Sequence, residues 1–211
     1  MTVVDRVRWS VRGKDARSGH SSAMGATEDD VHAPTSAAGR HEAHSESSSS
    51  VLDDIRAAND RYAASFSQGN LSPEPSRRLA VLTCMDARLD PLAALGLRLG
   101  EAHVIRNAGG LATDDALRSL VISSTLLGTE AALVVGHTDC GMTRFSNYEL
   151  RQRLRDRGAD ADEIDFLPFP FVDARVAESV ERLRDSPLLP ASFEVHGLVF
   201  DVKTGHVRLV D

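Results

Sequence analysis

Cysteine is nearly absent from this chain: two residues, Cys84 and Cys140, in a length of 211. That is too few for a disulfide framework at this size, and it points to a reducing compartment. A basic surplus is missing as well, since 24 Lys and Arg face 31 Asp and Glu for a formal net charge of −7. The electrostatic footprint of a nucleic-acid binder is thereby excluded. No apolar run approaches the roughly 18 residues needed to cross a bilayer, and no signal-peptide-like stretch opens the sequence. What is present is 42% hydrophobic residues, enough for one packed core. The expectation is a soluble, acidic, cytoplasmic domain.

The first fifty residues differ from the rest. Between Ser10 and Ser50 there is almost no apolar periodicity, and the stretch closes on a run of serines. A Ser/His/Ala/Gly-rich segment cannot bury enough surface to offset its ordering entropy. Residues 1–48 are therefore predicted to be a disordered extension, and 49–211 a single ordered domain. His20, His32, His41 and His44 lie in the extension. Their irregular spacing favours a plain polar tail over a metal-scavenging tract.

Order begins at Ser50, a hydroxyl N-cap with Asp53 three residues on. Val51, Leu52, Ile55, Tyr62 and Phe66 share one helix face, with Gly69-Asn70 as the expected stop. The helix lies outside the pattern that follows, so its apolar face is expected to pack on a partner subunit. Strands then alternate with helices: strands at 79–83, 102–105 and 131–135, helices at 91–99, 114–127, 143–155 and 173–184. A β-hairpin closes the chain, 193–201 and 207–210 around Lys203-Thr204-Gly205. This alternation predicts an α/β fold with a mostly parallel central sheet flanked by helices.

In such sheets ligands collect beyond the C-terminal ends of the strands. Here those ends read Cys84-Met85-Asp86-Ala87-Arg88, Arg106-Asn107-Ala108-Gly109-Gly110 and His137-Thr138-Asp139-Cys140-Gly141. Both cysteines occupy strand ends. An H-x-x-C pair can wrap one ion across a turn, and Cys140 at a helix start would favour its thiolate. Two thiolates and one imidazole are typical Zn²⁺ ligands, and three protein ligands leave a fourth position open for chemistry. Unrelated buried cysteines and a redox Cys84–Cys140 disulfide are the competing readings; the placement beside His137 favours the metal. Asp86 and Arg88, two apart in an extended segment, would emerge on the same side next to Cys84. An ordinary ion pair is the alternative there. His103 reads as a packed strand histidine, and no proton-shuttle residue stands out.

C-x-D-x-R, R-N-A-G and H-x-x-C-G, in this order and at these separations, resemble the β-class carbonic anhydrases, in their compact bacterial branch with C-M-D-A-R. The resemblance spans residues 50–211. It implies one zinc per subunit held by Cys84, His137 and Cys140, with Asp86 and Arg88 as the catalytic dyad. It also implies a homodimer or tetramer without nucleic-acid or membrane partners. The implied activity is reversible hydration of CO₂ to bicarbonate by attack of zinc-bound hydroxide, making the protein a carbonate dehydratase, a lyase. The Gly141 N–H is the candidate donor to the developing anion. Asp86 would join the zinc ligands only in a closed, inactive state, favoured at lower pH. The alternatives are a related zinc hydrolase acting on CS₂ or COS, and a non-catalytic zinc-binding protein on the same scaffold.

Overall fold

The computed structural model describes residues 50–210. The extension expected at 1–48 lies outside the described residues. The chain divides into two units between Arg56 and Ala57. Of the first, residues 50–56 are described, the opening of helix α1. Among the described residues no helix is long and apolar enough to cross a membrane.

Helix α1 runs Val51–Ala64. Its cap is reciprocal: the Ser50 hydroxyl accepts from the Asp53 N–H at 3.2 Å, and the Asp53 carboxylate accepts from the Ser50 N–H at 3.3 Å. The helix stops short of the expected Gly69. The N–H groups of Ser65 and Phe66 turn to carbonyls three residues back. The Ser65 hydroxyl also donates to the Tyr62 carbonyl at 3.2 Å, so the last turn tightens and ends. No residue of α1 is buried.

Strand β1, Leu79–Cys84, is almost wholly buried, as its continuous apolar run predicts. Helix α2 is a single turn, Pro91–Ala94, where the sequence pattern predicts a helix to Leu99. Asp90 caps its start, and Gly96 at φ 66° turns the chain off the helix so that Leu97 packs under the sheet. β2 is Ala102–Asn107. Helix α3, Asp114–Leu127, has the expected limits: Thr113 accepts from the Ala116 N–H, and Gly128 closes it in the left-handed region. β3 runs Ala131–His137.

The expected helix from Thr143 is replaced by two elements. Gly141–Thr143 forms a 3₁₀ turn, and helix α4, Asn147–Arg155, starts afresh at a Ser146–Glu149 capping box. That S-x-x-E spacing was the legible start signal. Helix α5 is Val172–Arg184, and β4 (Glu194–Phe200) with β5 (Val207–Val210) makes the expected hairpin.

The five strands form one sheet in the order β2-β1-β3-β4-β5, parallel except for the β4/β5 pair. The main core lies on one face. Ala80, Leu82, Ala132, Val134, Val195 and Val199 pack there against α3 (Ala116, Leu120) and α5 (Val176, Val180, Leu183). The other face is thinly covered. Buried Val81, Val135 and Leu97 meet Leu92 and Leu95, while Leu133, Leu198 and Phe200 are only half-buried and Val104 is exposed.

The three adjacent parallel strands β1, β2 and β3 end at the same edge, and two glycines let that edge close up. Gly136 faces α5, where a Cβ would lie 2.6 Å from Val176 Cγ2. Gly110, at φ 67°, lies against the end of β1: a Cβ there would sit 2.9 Å from Cys84 N. Gly110→Ala combines left-handed strain with a backbone clash and is expected to cost about 2–4 kcal/mol. Chemical denaturation checks this; an unchanged midpoint would mean that the loop has room to shift.

Candidate metal centre

Cys84 is the last residue of β1, His137 the last of β3, and Cys140 follows three residues on. Their donor atoms all lie within 4.8 Å of one another, and all three residues are buried. The strands bring the trio together because β1 and β3 pair directly and in parallel, with Leu82 opposite Val134. Cys84 and Cys140 sit among Leu111, Met142 and Phe169, an apolar lining that keeps bulk water from the sulfurs.

His137 is oriented for ligation. Its Nδ1 lies 2.9 Å from the Thr138 carbonyl, which as an acceptor fixes the proton on that nitrogen. Its Nε2 is buried and has no hydrogen-bond partner among the described residues. A buried lone pair facing two sulfurs costs free energy unless a cation takes it up. That orphaned nitrogen is the independent sign that the trio is built for a metal.

The electrostatics of the two thiols are in keeping with this. The hydrogen bond from Cys140, against the opposing effect of burial, lowers Cys84 to about 4, with His137 and the backbone of Asp86 and Gly109 assisting. Cys140 is pushed up, as donor of that bond and by burial. Burial opposes charge on His137, but the neighbouring Cys84 sulfur and its negative charge outweigh it and raise the imidazole. A divalent cation bound by both sulfurs would displace the thiol protons.

Asp86 and Arg88 stand next to the trio, though not on an extended segment as the sequence pattern predicts. The Leu89 N–H closes a turn on the Asp86 carbonyl, and the Arg88 N–H donates to Asp86 Oδ1 at 2.9 Å. This Asx turn, not strand alternation, brings the two side chains together. Arg88 Nε donates to Oδ1 at 2.9 Å and Nη2 to Oδ2 at 2.7 Å, a bidentate pair. Asp86 Oδ2 is 3.9 Å from His137 Nε2. With both oxygens engaged by Arg88, Asp86 stays outside the converging trio.

Those bonds, the Arg88 side chain first and its N–H next, hold the Asp86 carboxyl well below the usual carboxylate range. The folded value lies below the unfolded one. The pair's contribution to stability is therefore present above the ordinary range and is lost as pH falls through the folded value. The Asp86 carboxyl carbon is expected to show no NMR titration step between about pH 8 and 4. A step near the ordinary value of about 4 would show that Arg88 does not hold it.

Gly141 opens the 3₁₀ turn; it is exposed, with open space where a Cβ would lie. The turn spans three residues, so no α-helix starts at Cys140, and of the expected helix-start N–H groups the Met142 N–H favours its thiolate. His103 is a structural residue. Its ring nitrogens lie 2.7 Å from Ser123 Oγ and 2.9 Å from the Pro73 carbonyl.

Arg106 and Asn107, quoted in a sequence motif but given no role there, build the edge. Arg106 donates to the carbonyls of Cys84 (3.0 Å), Leu89 (3.3 Å) and Asp86 (2.7 Å). Asn107 accepts from the Leu111 N–H and donates to the Leu111 carbonyl, closing the Gly109-Gly110 loop. A polar motif directly after an apolar strand was the signal for both. A cleft of about 430 Å³ between the start of α3 and α5 contains none of the motif residues of the three strand ends.

A three-residue Cys/His cluster at the C-terminal edge of a parallel α/β sheet, flanked by a carboxylate, could hold a metal ion with a position left open. Residues 79–167 match the family model described as carbonic anhydrase. The chain is 41% identical over 160 residues to β-carbonic anhydrase 1 of Mycobacterium tuberculosis, covering 76% of this chain and 98% of the relative. A solved carbonic anhydrase from Streptococcus mutans superposes with a TM-score of 0.73 at 45% identity, covering 76% of this chain and 97% of that one. A carbon disulfide hydrolase of Acidithiobacillus thiooxidans is 38% identical over 153 residues, 63% of this chain and 77% of the relative. The chain belongs to the β-carbonic anhydrase family.

Proposed function

We propose that the protein is a zinc-dependent carbonic anhydrase that interconverts CO₂ and bicarbonate, with Cys84, His137 and Cys140 as the ligands. The observation that carries this reading is their convergence within 4.8 Å, with Asp86 Oδ2 3.9 Å from the ligating face of His137. Two soft thiolates and an imidazole suit Zn²⁺ and leave a position for water. When bound, zinc supplies a Lewis acid that brings the pKa of water from 15.7 down to about 7, making hydroxide available at neutral pH.

The chain's own residues orient the reaction. Asp86 is ionised and can only accept, so a water or hydroxide at the reacting position must point its hydrogen at Asp86. That leaves a lone pair aimed at the carbon of CO₂. Arg88 holds the carboxylate in place through its bidentate bonds. Gly141 offers its N–H to the oxygen on which negative charge develops. A structural zinc needs no such dyad, which weighs against a non-catalytic binding protein.

The reading includes a homodimer or tetramer. Parallel sheets are ordinarily covered on both faces, whereas this one leaves Val104 exposed, and the apolar residues of α1 are all exposed. It also includes the cytoplasm, because both thiols must stay reduced to ligate.

Stopped-flow assays of the zinc-loaded protein with CO₂ and, in parallel, with CS₂ test the substrate. Hydration of CO₂ far above the buffer rate, with slower sulfide release from CS₂, is expected. The reverse order would make it a CS₂ or COS hydrolase. Buffer-rate behaviour on both with one zinc per chain would leave only a binding role.

A further inference from the structure

Arg88 has a second set of contacts that the dyad alone does not explain. The same guanidinium that grips Asp86 reaches across to the turn between His137 and Cys140. Nη1 donates to Asp139 Oδ2 at 3.0 Å, and Nη2 donates to the Asp139 carbonyl at 3.0 Å. The other carboxylate oxygen of Asp139 accepts from Arg144 Nη2. Four side chains thus form a chain of alternating charge, Asp86–Arg88–Asp139–Arg144, whose formal charges cancel. Among the described residues Asp139 is also one of three non-glycine residues with positive φ, at 57°. A left-handed aspartate costs backbone energy, and such strain persists only where surrounding contacts impose it.

We propose that Asp139 is a positioning residue for CO₂ hydration, acting through Arg88 to hold the Asp86 carboxylate where it can orient the attacking oxygen. Arg88 lies at the surface with its side chain 45% exposed. A side chain tied at one end only would sample several rotamers and carry Asp86 with it. Asp139 supplies the second tie, from the opposite side of the guanidinium, through both its carboxylate and its main-chain carbonyl. The tie is anchored in the turn that carries two of the three ligands. The dyad, on the loop after β1, is thereby registered against ligands at the end of β3. Arg144 keeps the carboxylate turned towards Arg88 by occupying its outer oxygen.

This inference rests on the carbonic anhydrase reading and deepens it. The test uses zinc-loaded parent protein, Asp139→Asn, Asp139→Gly and Arg144→Gln. Asparagine keeps the shape and tolerates the left-handed backbone but loses the charge. Glycine relieves the strain and loses the side chain altogether. Both are expected to lower kcat roughly 10-fold, at the lower end of what outer residues of metal sites contribute. KM should stay within about 2-fold and zinc content at the parent level. Asp139→Gly is expected to melt no lower than the parent, a slower enzyme of equal stability that a merely structural role does not explain. Arg144→Gln should cost less, roughly 3-fold, because Asp139 still reaches Arg88.

A second readout does not depend on turnover. The Arg88 Nε–H NMR signal should be sharp and slow to exchange in the parent, and broadened or fast-exchanging in both Asp139 variants. Parent-like kcat in Asp139→Asn with an unchanged Arg88 signal overturns the proposal. So does a fall in kcat matched by an equal loss of zinc. If the parent itself hydrates no CO₂, the substrate reading fails, and the Arg88 signal alone decides whether Asp139 holds the dyad.

Discussion

Cys84→Ser is expected to lose zinc and CO₂ hydration together. The hydroxyl is nearly isosteric, so the buried end of β1 still packs beside Leu111 and Phe169. What disappears is the anion. The Cys140 hydrogen bond draws Cys84 down and a thiol ligates as the thiolate, whereas a serine hydroxyl stays neutral. Mutating residues merely adjacent to metal ligands already costs 10–100-fold in affinity or activity. Removing an anionic ligand is therefore expected to cut hydration by more than about 100-fold and to leave zinc well below one per chain. Metal analysis and stopped-flow kinetics on the same sample check this. A variant that keeps both zinc and rate would remove Cys84 from the site.

Asp86→Asn separates the dyad from the metal. Asp86 is not part of the converging trio, so zinc content is expected to stay at the parent level. The amide can present N–H where the carboxylate could only accept, and Arg88 loses its ionic partner on that side. Oriented proton-handling groups contribute roughly 10²–10⁴ in rate, and a loss of about 100-fold in kcat is expected here. Because Asp86 remains ionised through the neutral range, the parent's pH–rate profile should carry no step from it between about pH 5 and 8. A full rate in Asp86→Asn would reduce the pair to a structural contact.

Much of the site was legible in the sequence because its residues sit directly after apolar strands. Leu79–Thr83 and Ala131–Val135 declare themselves as continuous apolar runs, and Cys84 and His137 follow within two residues of each run. Parallel pairing then brings the residues together, which the β/α alternation predicts. The α3 limits were equally plain from Thr113 and Gly128.

Short-range geometry was harder to read. Two-residue spacing suggested an extended Asp86–Arg88 segment, but Asp side chains compete for nearby N–H groups and made a turn instead. A run of helix-compatible residues hid the break after Thr143, although Ser146 and Glu149 marked the true start. Gly96 ended α2 early because it adopts a conformation that composition does not announce. Asp139 escaped notice because its role depends on a partner 51 residues away. No local pattern carries such a contact. The flanking helices were predicted, but not their uneven division, with α3 and α5 on one face and the short α2 on the other.

Zinc K-edge X-ray absorption of the purified protein tests the central claim most directly. The expected first shell is two sulfurs at about 2.3 Å with nitrogen and oxygen at about 2.0–2.2 Å, because only Cys84 and Cys140 can supply sulfur ligands from this chain. A shell without sulfur would contradict the claim that these three side chains hold one catalytic ion.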